Sequence, residues 1–243
     1  MASKEPRVSS EFARDNDAWF GRDDAFAFLE RDRDNVVRIE EVERILSRGR
    51  RGTLLDLGCG DGRIGERLQR LGYQVTGLDV SGAALDHARR RGLGTIVGDV
   101  SEALPIESAS FDAVFAGEVI EHLFAPDAFL AEVFRVLRPG GRVVLTTPNL
   151  AHLPDRLRLL AGRAPTQVQP LHPFLRLHIR PFTAGTLRDA LRGAGFEAPR
   201  LRSSLVVFRR DSADPDQVRL ASRWLARVAP SLGSFLIAES KKP

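Results

Sequence analysis

Cysteine is almost absent from this sequence of 243 residues, and long apolar runs are absent altogether. The single cysteine, Cys59, rules out an internal disulfide, and no Cys/His cluster has the spacing of a structural zinc site. No window approaches the roughly 18 apolar residues of a membrane span, and residues 1–6 lack the apolar core of a signal peptide. We therefore expect a cytoplasmic protein that is neither secreted nor integral to a membrane.

A large excess of charge of one sign is also missing. The chain carries 36 lysines and arginines against 32 acidic residues, which gives a formal net charge of +4. No basic block with interleaved aromatic residues occurs, so specific binding of nucleic acid is not predicted. Apolar residues make up 43% of the chain, enough to bury the core of a globular domain.

Short apolar runs alternate with segments of helical periodicity. A first helix with apolar positions from Val36 to Leu46 ends at Gly49. Strands are expected at 53–57, 74–79, 95–97, 111–115, 142–146, 201–208 and 234–238. Helices are expected at 62–71, 82–91, 126–137 and 183–194, with another carrying Val218, Ala221, Leu225 and Val228. The alternation predicts an α/β fold with a doubly wound, mostly parallel sheet and helices on both faces.

Three segments interrupt or flank this pattern. Residues 1–33 are polar, with scattered aromatics, and are expected to form a partly ordered arm before a domain at 34–243. The Pro-Gly-Gly at 139–141 is expected to stop the fourth helix and turn the chain into the fifth strand. Residues 148–182 are rich in proline, histidine and arginine, and a segment of this length usually covers a site or is mobile.

The first strand leads into a glycine run. Gly58, Gly60 and Gly62 allow the backbone to approach a ligand closely, and the helix that follows directs its N-terminal N–H groups at the same place. Residues 60–65 also match the dinucleotide pattern G-x-G-x-x-G, which leaves NAD open as an alternative. Asp56 and Asp61 add negative charge where a pyrophosphate would lie, which favours an ammonium or sulfonium ligand.

Two further acids follow the next two strands. Asp79 ends the second strand, where a carboxylate can accept hydrogen bonds from both hydroxyls of a ribose. Asp99 follows the third strand and could accept a hydrogen bond from the amino group of an adenine. The carboxyl ends of parallel strands meet at one edge, so we expect these acids to line one cleft.

Five segments together carry a family resemblance. They are 55–62 (LDLGCGDG), 77–81 (GLDVS), 98–99 (GD), 111–114 (FDAV) and 136–141 (VLRPGG). In order and spacing they resemble the motifs of class I S-adenosylmethionine (SAM)-dependent methyltransferases, of the methyltransferase type 11/12 kind, over roughly residues 36–150. The resemblance implies a Rossmann-like sheet of seven strands with the last one antiparallel.

The resemblance also implies the cofactor and its contacts. SAM would be bound and S-adenosylhomocysteine released. Gly58, Gly60 and Gly62 would flank the methionine moiety, and Asp56 would bind near its amino group, directly or through water. The ribose would be held by Asp79 and the adenine by Val80, Asp99 and Val100, while Cys59 stands where this family often has cysteine or serine.

The segment 117–123 follows the fourth strand at the same edge. Glu118 is expected at the cofactor, and His122 is the candidate general base, because an unperturbed imidazole titrates near neutral pH. A structural histidine that fixes the turn is the alternative. Glu118, Glu121 and His122 resemble the acidic-histidine patch of ubiquinone-biosynthesis O-methyltransferases, but the short spacing does not favour a resident divalent metal.

These residues predict in-line transfer of a methyl group to a small-molecule acceptor, at oxygen. Residues 148–182 resemble an acceptor-side lid, whose arginines favour an anionic acceptor and whose leucines favour a lipid-like or quinone-like one. A SAM-binding protein without catalysis remains an alternative, and an NAD-dependent oxidoreductase is a remote one.

Overall fold

The computed structural model describes residues 28–168, 177–210 and 218–243. Its strands are β1 Thr53–Leu57, β2 Gln74–Asp79, β3 Gly94–Val97, β4 Phe111–Gly117, β5 Leu137–Pro148, β6 Arg200–Ser203, β7 Val206–Arg210, β8 Val218–Ser222 and β9 Phe235–Lys241. Seven of them form one sheet in the order β3-β2-β1-β4-β5-β9-β6, while β7 and β8 form a separate pair. Strands β1 to β5 pair in parallel, and β9 runs antiparallel to both β5 and β6. The predicted fold class is confirmed, including the antiparallel last strand.

Helices flank this sheet on both faces. They are α1 Phe28–Arg31, α2 Arg33–Leu46, α3 Arg63–Arg70, α4 Gly82–Arg90, α5 Pro126–Val136, α6 Leu153–Leu160, α7 Ala184–Gly193 and α8 Arg223–Val228. Short 3₁₀ turns lie at Ile120–His122 and Pro230–Leu232. Among the described residues, no helix is long and apolar enough to cross a bilayer.

Successive strand residues point to opposite faces and so build two cores. Leu54 packs with Val42 of α2 and Leu68 of α3 on one face. Leu55, the next residue, packs with Leu130 of α5 and Leu187 of α7 on the other face. Each buried leucine contributes about 1.5–3 kcal/mol. The two cores fix the sheet, and with it the edge at which the candidate site lies.

The prediction that the Pro-Gly-Gly at 139–141 separates helix from strand is wrong. Helix α5 ends at Val136, and β5 already begins at Leu137, so the Pro-Gly-Gly lies within the strand instead of separating helix from strand. Its glycines exchange backbone hydrogen bonds with Lys242: Gly140 N–H donates to the Lys242 carbonyl, and Lys242 N–H donates to the Gly141 carbonyl. Tertiary pairing, which the local sequence does not show, thus extends the strand through the turn residues.

The C-terminal third also differs from prediction. The expected strand 201–208 is split into β6, which joins the main sheet, and β7, which leaves it. The expected helix from Val218 to Val228 is helical only from Arg223 onwards, because 218–222 pairs with β7 as β8. Bulges in that pair bring Val218 and Ala221 against the same small core, a spacing that resembles helical periodicity.

The predicted division into an arm and a domain stays a prediction. Residues 1–27 lie outside the described residues, and α2 begins at Arg33, at the end of the expected arm. Asp32 caps this helix by accepting the N–H of Asp34. The segment 148–182 contains α6, and its two ends meet where Leu150 N–H donates to the Phe182 carbonyl at 2.8 Å.

Candidate functional site

The glycine run forms a loop whose conformation requires glycine at three positions. Gly58, Gly60 and Gly62 have φ values of 68°, 53° and 80°, in the left-handed region that other residues rarely adopt. A Cβ on Gly58 would stand 2.6 Å from Val119 Cγ2, and one on Gly62 would stand 2.8 Å from Ala88 Cα. The loop therefore lies against both the turn after β4 and helix α4.

Asp79 holds this loop to the end of β2. Its Oδ2 accepts the N–H of Gly60 at 2.8 Å, and its Oδ1 accepts the N–H of Ser81 at 2.9 Å. The Leu78 carbonyl accepts two more N–H groups, from Gly58 and Cys59. The Asp79 side chain is thus oriented at the strand end, beside the half-buried Val80, and its predicted contact with a ribose stays a prediction.

Asp99 and Val100 follow β3 at the neighbouring position. The Gly98 N–H donates to the Asp79 carbonyl at 3.0 Å, so the two strand ends are in contact. Asp99 Oδ1 accepts hydrogen bonds from the N–H and hydroxyl of Ser101 at 2.8 and 2.6 Å. The structure thus brings Asp79 and Asp99 to one edge, where sequence analysis expected them.

Asp56 and Asp61 do not supply the negative charge that sequence analysis assigned to them. Asp56 is buried beneath the loop, and burial, with a smaller effect of Asp79, raises its pKa to about 8. It is therefore largely protonated at neutral pH. Asp61 is ion-paired with Arg63 at 2.6 Å and Arg91 at 3.3 Å. The expectation that these two acids disfavour a pyrophosphate is therefore wrong, and the choice of ligand must rest on other observations.

Cys59 is a packing residue within the loop. Its sulfur is so close to β2 that a Cβ on Gly77 would stand 2.5 Å from it. Burial, reinforced by the nearby Asp56 and Asp79, raises the thiol pKa well above its usual range. The group is thus a neutral thiol, which fills space and has no nucleophilic role.

Glu118 follows the end of β4 and lies beside Arg38 of α2. Glu118 has a φ of 58°, rare for a residue with a side chain, and its Oε1 accepts the Thr146 hydroxyl at 3.0 Å. Arg38 Nη1 donates to the same Thr146 oxygen at 2.8 Å and lies 3.7 Å from the Glu118 carboxylate. Burial raises the pKa of Glu118 to about 8, against the lowering effect of Arg38, although a quarter of its side chain is exposed.

Glu121 is the second acid of this turn and is almost completely buried. Its Oε2 accepts the Thr147 hydroxyl at 2.9 Å, while Oε1 is buried without a hydrogen-bond partner. Burial raises its pKa to about 7. The carboxyl can therefore gain or lose a proton near neutral pH.

His122 is oriented by the segment that sequence analysis assigned to the lid. The Leu177 carbonyl lies 3.0 Å from Nδ1, so that nitrogen carries the proton and donates it. Nε2 is left with a lone pair, 3.9 Å from Glu121 Oε1. Burial lowers the pKa of His122, so the ring is mainly neutral at neutral pH. A neutral, partly exposed imidazole of defined tautomer is suited to act as a base.

His178 completes a group that could hold a metal ion. Its ring meets that of His122 edge to face, with centroids 5.0 Å apart. One ligand atom each from Glu121, His122 and His178 lie within 4.8 Å of one another. Two imidazoles and one carboxylate suit a transition metal better than magnesium. Glu118, which sequence analysis placed in the acidic-histidine patch, is not a member of this group.

Arg38 and His178 are two site residues whose roles the sequence does not predict. Arg38 lies on the buried face of α2, where its only visible signal is a cation between the apolar residues Val37 and Ile39. Its partner Thr146 is 108 residues away along the chain. His178 was noticed only as one of the histidines of 148–182, and its pairing with His122 depends on the fold.

Comparisons with known proteins agree with this geometry. Residues 55–145 match the model of a methyltransferase domain family. A relative from Mycolicibacterium smegmatis, named as a probable S-adenosylmethionine-dependent methyltransferase, is 37% identical over 157 residues, covering 64% of this chain and 54% of its own length. A ubiquinone biosynthesis O-methyltransferase from Xanthomonas oryzae is 37% identical over 122 residues, covering 47% of this chain and 50% of its own length. The chain thus spans about half the length of the curated relatives it matches.

Solved structures share the fold. A methyltransferase from Haloferax volcanii, solved in complex with the Trm112 methyltransferase activator, has a TM-score of 0.69 at 21% identity and covers 98% of this chain and 100% of its own. A SAM-dependent methyltransferase from Thermotoga maritima has a TM-score of 0.61 at 20% identity and covers 90% of this chain and 100% of its own.

Residues 55–145 therefore match a methyltransferase domain family, and the chain has the Rossmann-like fold of solved SAM-dependent methyltransferases. The predicted resemblance to SAM-dependent methyltransferases and the predicted cofactor class are both confirmed. The roles of the individual site residues stay predictions.

Proposed function

We propose that the protein transfers a methyl group from SAM to an oxygen atom of a small-molecule acceptor, in the cytoplasm. The observation that carries this proposal is the single edge at which the glycine loop, Asp79, the Arg38–Glu118 pair and His122 meet. Side chains that can bind a nucleoside, bind the amino-acid part of SAM and accept a proton are thus adjacent. The O-methyltransferase name of several relatives supports oxygen as the acceptor atom.

The residues present fit this cofactor. Gly58 and Gly62 allow a close backbone approach, and we assign the ribose to Asp79, whose carboxylate is bonded to the glycine loop, and the adenine to Asp99 and Val100 at the adjacent strand end. When bound, SAM supplies an electrophilic methyl group on a sulfonium. The side chains of this protein bind and orient the reactants and accept the proton.

The methionine moiety of SAM carries one carboxylate and one ammonium, and the site offers a partner for each. Arg38 is a buried cation, which suits the carboxylate. Glu118 and Asp56 are acids whose raised pKa leaves them protonated in the free protein. A cation nearby lowers the pKa of a carboxyl, so ligand binding favours their ionised forms.

The acceptor proton is assigned to His122. Leu177 fixes the ring through Nδ1, so Nε2 can accept the proton of an acceptor hydroxyl. The buried Glu121, 3.9 Å from Nε2, stabilises the imidazolium that then forms. The segment around 177–182 lies against this turn, where Arg180 N–H donates to the Glu121 carbonyl, and so helps to exclude water.

The acceptor is proposed to be amphipathic. Helix α6 exposes Leu157 and Leu160 beside Arg156 and Arg158, which suits an anionic or a lipid-like or quinone-like molecule. The role of 148–182 as an acceptor-side lid is part of this proposal.

The test measures cofactor binding and turnover separately. Titration calorimetry should detect binding of S-adenosylhomocysteine, and Asp79→Ala should weaken it by about 10- to 100-fold, because a charge-assisted hydrogen bond contributes about 1.5–3 kcal/mol. Asp86→Ala, an exposed acid on α4, is the matched control and should bind as the wild type does. Absence of binding, or equal binding by Asp79→Ala, would overturn the cofactor site.

Turnover is tested with a panel of phenols, carboxylic acids and amines and with radiolabelled methyl-SAM. Label should enter the hydroxyl-bearing acceptors. A protein that binds S-adenosylhomocysteine but labels no acceptor would support the non-catalytic alternative. Labelling confined to amines would contradict oxygen as the acceptor atom.

A further inference from the structure

Seven large apolar side chains are exposed on three adjacent elements at the β6 side of the molecule. They are Leu157, Leu159 and Leu160 of α6, Phe208 and Leu220 of the β7–β8 pair, and Trp224 and Val228 of α8. Exposure reaches 85% at Leu160 and 69% at Trp224. We call these seven side chains and the arginines between them the α6–α8 surface.

The three elements are in direct contact. Both α6 and α8 pack against β7. Arg156, in the first turn of α6, donates to the Ser231 carbonyl in the turn that follows α8, at 2.9 Å. The exposed apolar groups are thus neighbours on one part of the surface and not scattered single residues.

Each element buries one side and exposes apolar groups on the other. On α8, Ala226 is fully buried, while Trp224 and Val228, four residues apart, share the exposed face. On the strands, Val207 is buried and Ala221 packs in the same small core, while Phe208 and Leu220, next to them in sequence, are exposed. The outward groups are not members of the small core that these strands build against α2.

Arginine dominates the charge of this surface. Residues 151–168, 206–209 and 218–232 contain seven arginines and one acid, Asp155. Asp155 is buried and accepts hydrogen bonds from the backbone and hydroxyl of Thr166. Arg223 is paired with Glu40 and Glu41 of α2. The segment 211–217, with its three aspartates, lies outside the described residues.

We propose that the α6–α8 surface docks on an anionic lipid bilayer. Exposed apolar side chains interleaved with arginine, with a tryptophan among them, suit the boundary between acyl chains and headgroups. Each arginine near an anionic leaflet contributes about 1 kcal/mol of attraction. A second copy of this chain is a poor occupant, since it would bring two arginine-rich surfaces of the same sign against each other. The proposal does not depend on the proposed methyl transfer.

The experiment is sedimentation of the full chain with vesicles of phosphatidylcholine, with and without phosphatidylglycerol. The wild type should bind the anionic vesicles and dissociate at high salt, because surface charge is screened. Trp224→Ser with Val228→Ser should reduce the partition coefficient by at least about tenfold, since two apolar groups no longer enter the interface. Arg227→Glu reverses one charge and should reduce it by about fivefold or more.

Matched controls lie elsewhere on the molecule. Val97→Ser replaces an exposed valine on β3, at the opposite edge of the sheet, and Arg90→Glu replaces an exposed arginine on α4. Both should bind vesicles as the wild type does. Thermal unfolding of every variant checks that it is folded. In a Trp19→Phe background, the emission of Trp224 should shift to shorter wavelength on anionic vesicles.

The opposite results are equally clear. No binding to anionic vesicles, equal loss in the controls, or an unshifted Trp224 emission would overturn the proposal. Sedimentation velocity without lipid tests whether a second copy of the chain occupies the surface instead. A wild-type dimer that becomes a monomer in the Trp224→Ser, Val228→Ser variant would identify the surface as a contact between copies. That result would also overturn the proposal of lipid binding.

Discussion

Glu118 shows how one residue can join the two halves of the candidate site. Its left-handed backbone costs about 1–2 kcal/mol in a residue that is not glycine. In this conformation the Glu118 carboxyl accepts the Thr146 hydroxyl and lies beside Arg38. The next residue, Val119, lies against Gly58 of the glycine loop. The strain lies between the end of β4 and the turn that carries the proposed base, a position where strained backbone is often functional.

The base assignment leads to a prediction for His122. His122→Gln should lower kcat by about 10²- to 10⁴-fold, because a positioned proton acceptor is lost. The wild-type rate should rise with pH through a pKa below the usual histidine value of 6.5, since only the neutral ring can accept the proton and burial lowers its pKa. The measurement is the pH profile of kcat/KM.

Binding separates this role from a structural one. His122→Gln should keep the wild-type affinity for S-adenosylhomocysteine, and His87→Gln on α4 should keep both affinity and rate. A His122→Gln enzyme with normal kcat would leave the histidine with only the structural role of fixing the turn to Leu177.

At the scale of elements, the glycine loop gives a prediction about stability. Gly62→Ala and Gly92→Ala both place a Cβ at positive φ, 80° and 85°, but only at Gly62 would that Cβ lie 2.8 Å from the Ala88 backbone. The variant at Gly62 should therefore lose about 1–3 kcal/mol more in free energy of unfolding, the usual cost of overpacking. Urea unfolding of both variants measures this difference.

The comparison between the two glycines removes the shared cost of the backbone conformation. Equal destabilisation would mean that α4 moves away from the loop without cost. The loop would then not be tightly packed, and its glycines would be needed only for their φ values.

The local sequence predicted helices and strands correctly where each had one apolar face and packed against elements close to it in the chain. The first five strands and the helices between them follow the period of apolar residues, because each buries one side against the sheet. The prediction failed at 218–222, where Val218 and Ala221 have helical spacing but a bulged pairing with β7 turns both inward. Arg38 was missed because its partners come from distant parts of the chain.

For the whole molecule, the buried carboxyls predict how stability depends on pH. Burial raises the pKa of Asp56 and Glu118 to about 8 and that of Glu121 to about 7, from 3.8 and 4.5. The native state therefore holds protons that the unfolded chain has lost. Their contribution is fully present below the unfolded pKa values and is lost as pH rises through the folded ones.

The free energy of unfolding should accordingly fall between pH 6.5 and 8, by up to about 1.4 kcal/mol per pH unit for each proton. Within this range the lowered pKa values of Asp112, Glu132 and Asp155 have little effect, because those groups are ionised in both states. The lowered pKa of His122 opposes the decline only near pH 6.5, where the unfolded imidazole still binds a proton. Urea midpoints across the range test the sign.

Asp56→Asn is the diagnostic variant, because an amide cannot ionise. It should flatten the decline above pH 6.5, whereas Asp86→Asn, an exposed acid, should leave it unchanged. A midpoint that rises with pH in the wild type would contradict the assigned direction of these pKa shifts.

The position of β9 has a consequence for synthesis on the ribosome. The strand lies inside the sheet, with β5 on one side and β6 on the other, although it comes after both in sequence. While the chain emerges, β5 is an open edge and β6 has no strand to join. The two sides of the sheet can be linked only when residues 235–241 have left the exit tunnel, so until then the nascent chain exposes an unpaired strand to other nascent chains and to chaperones.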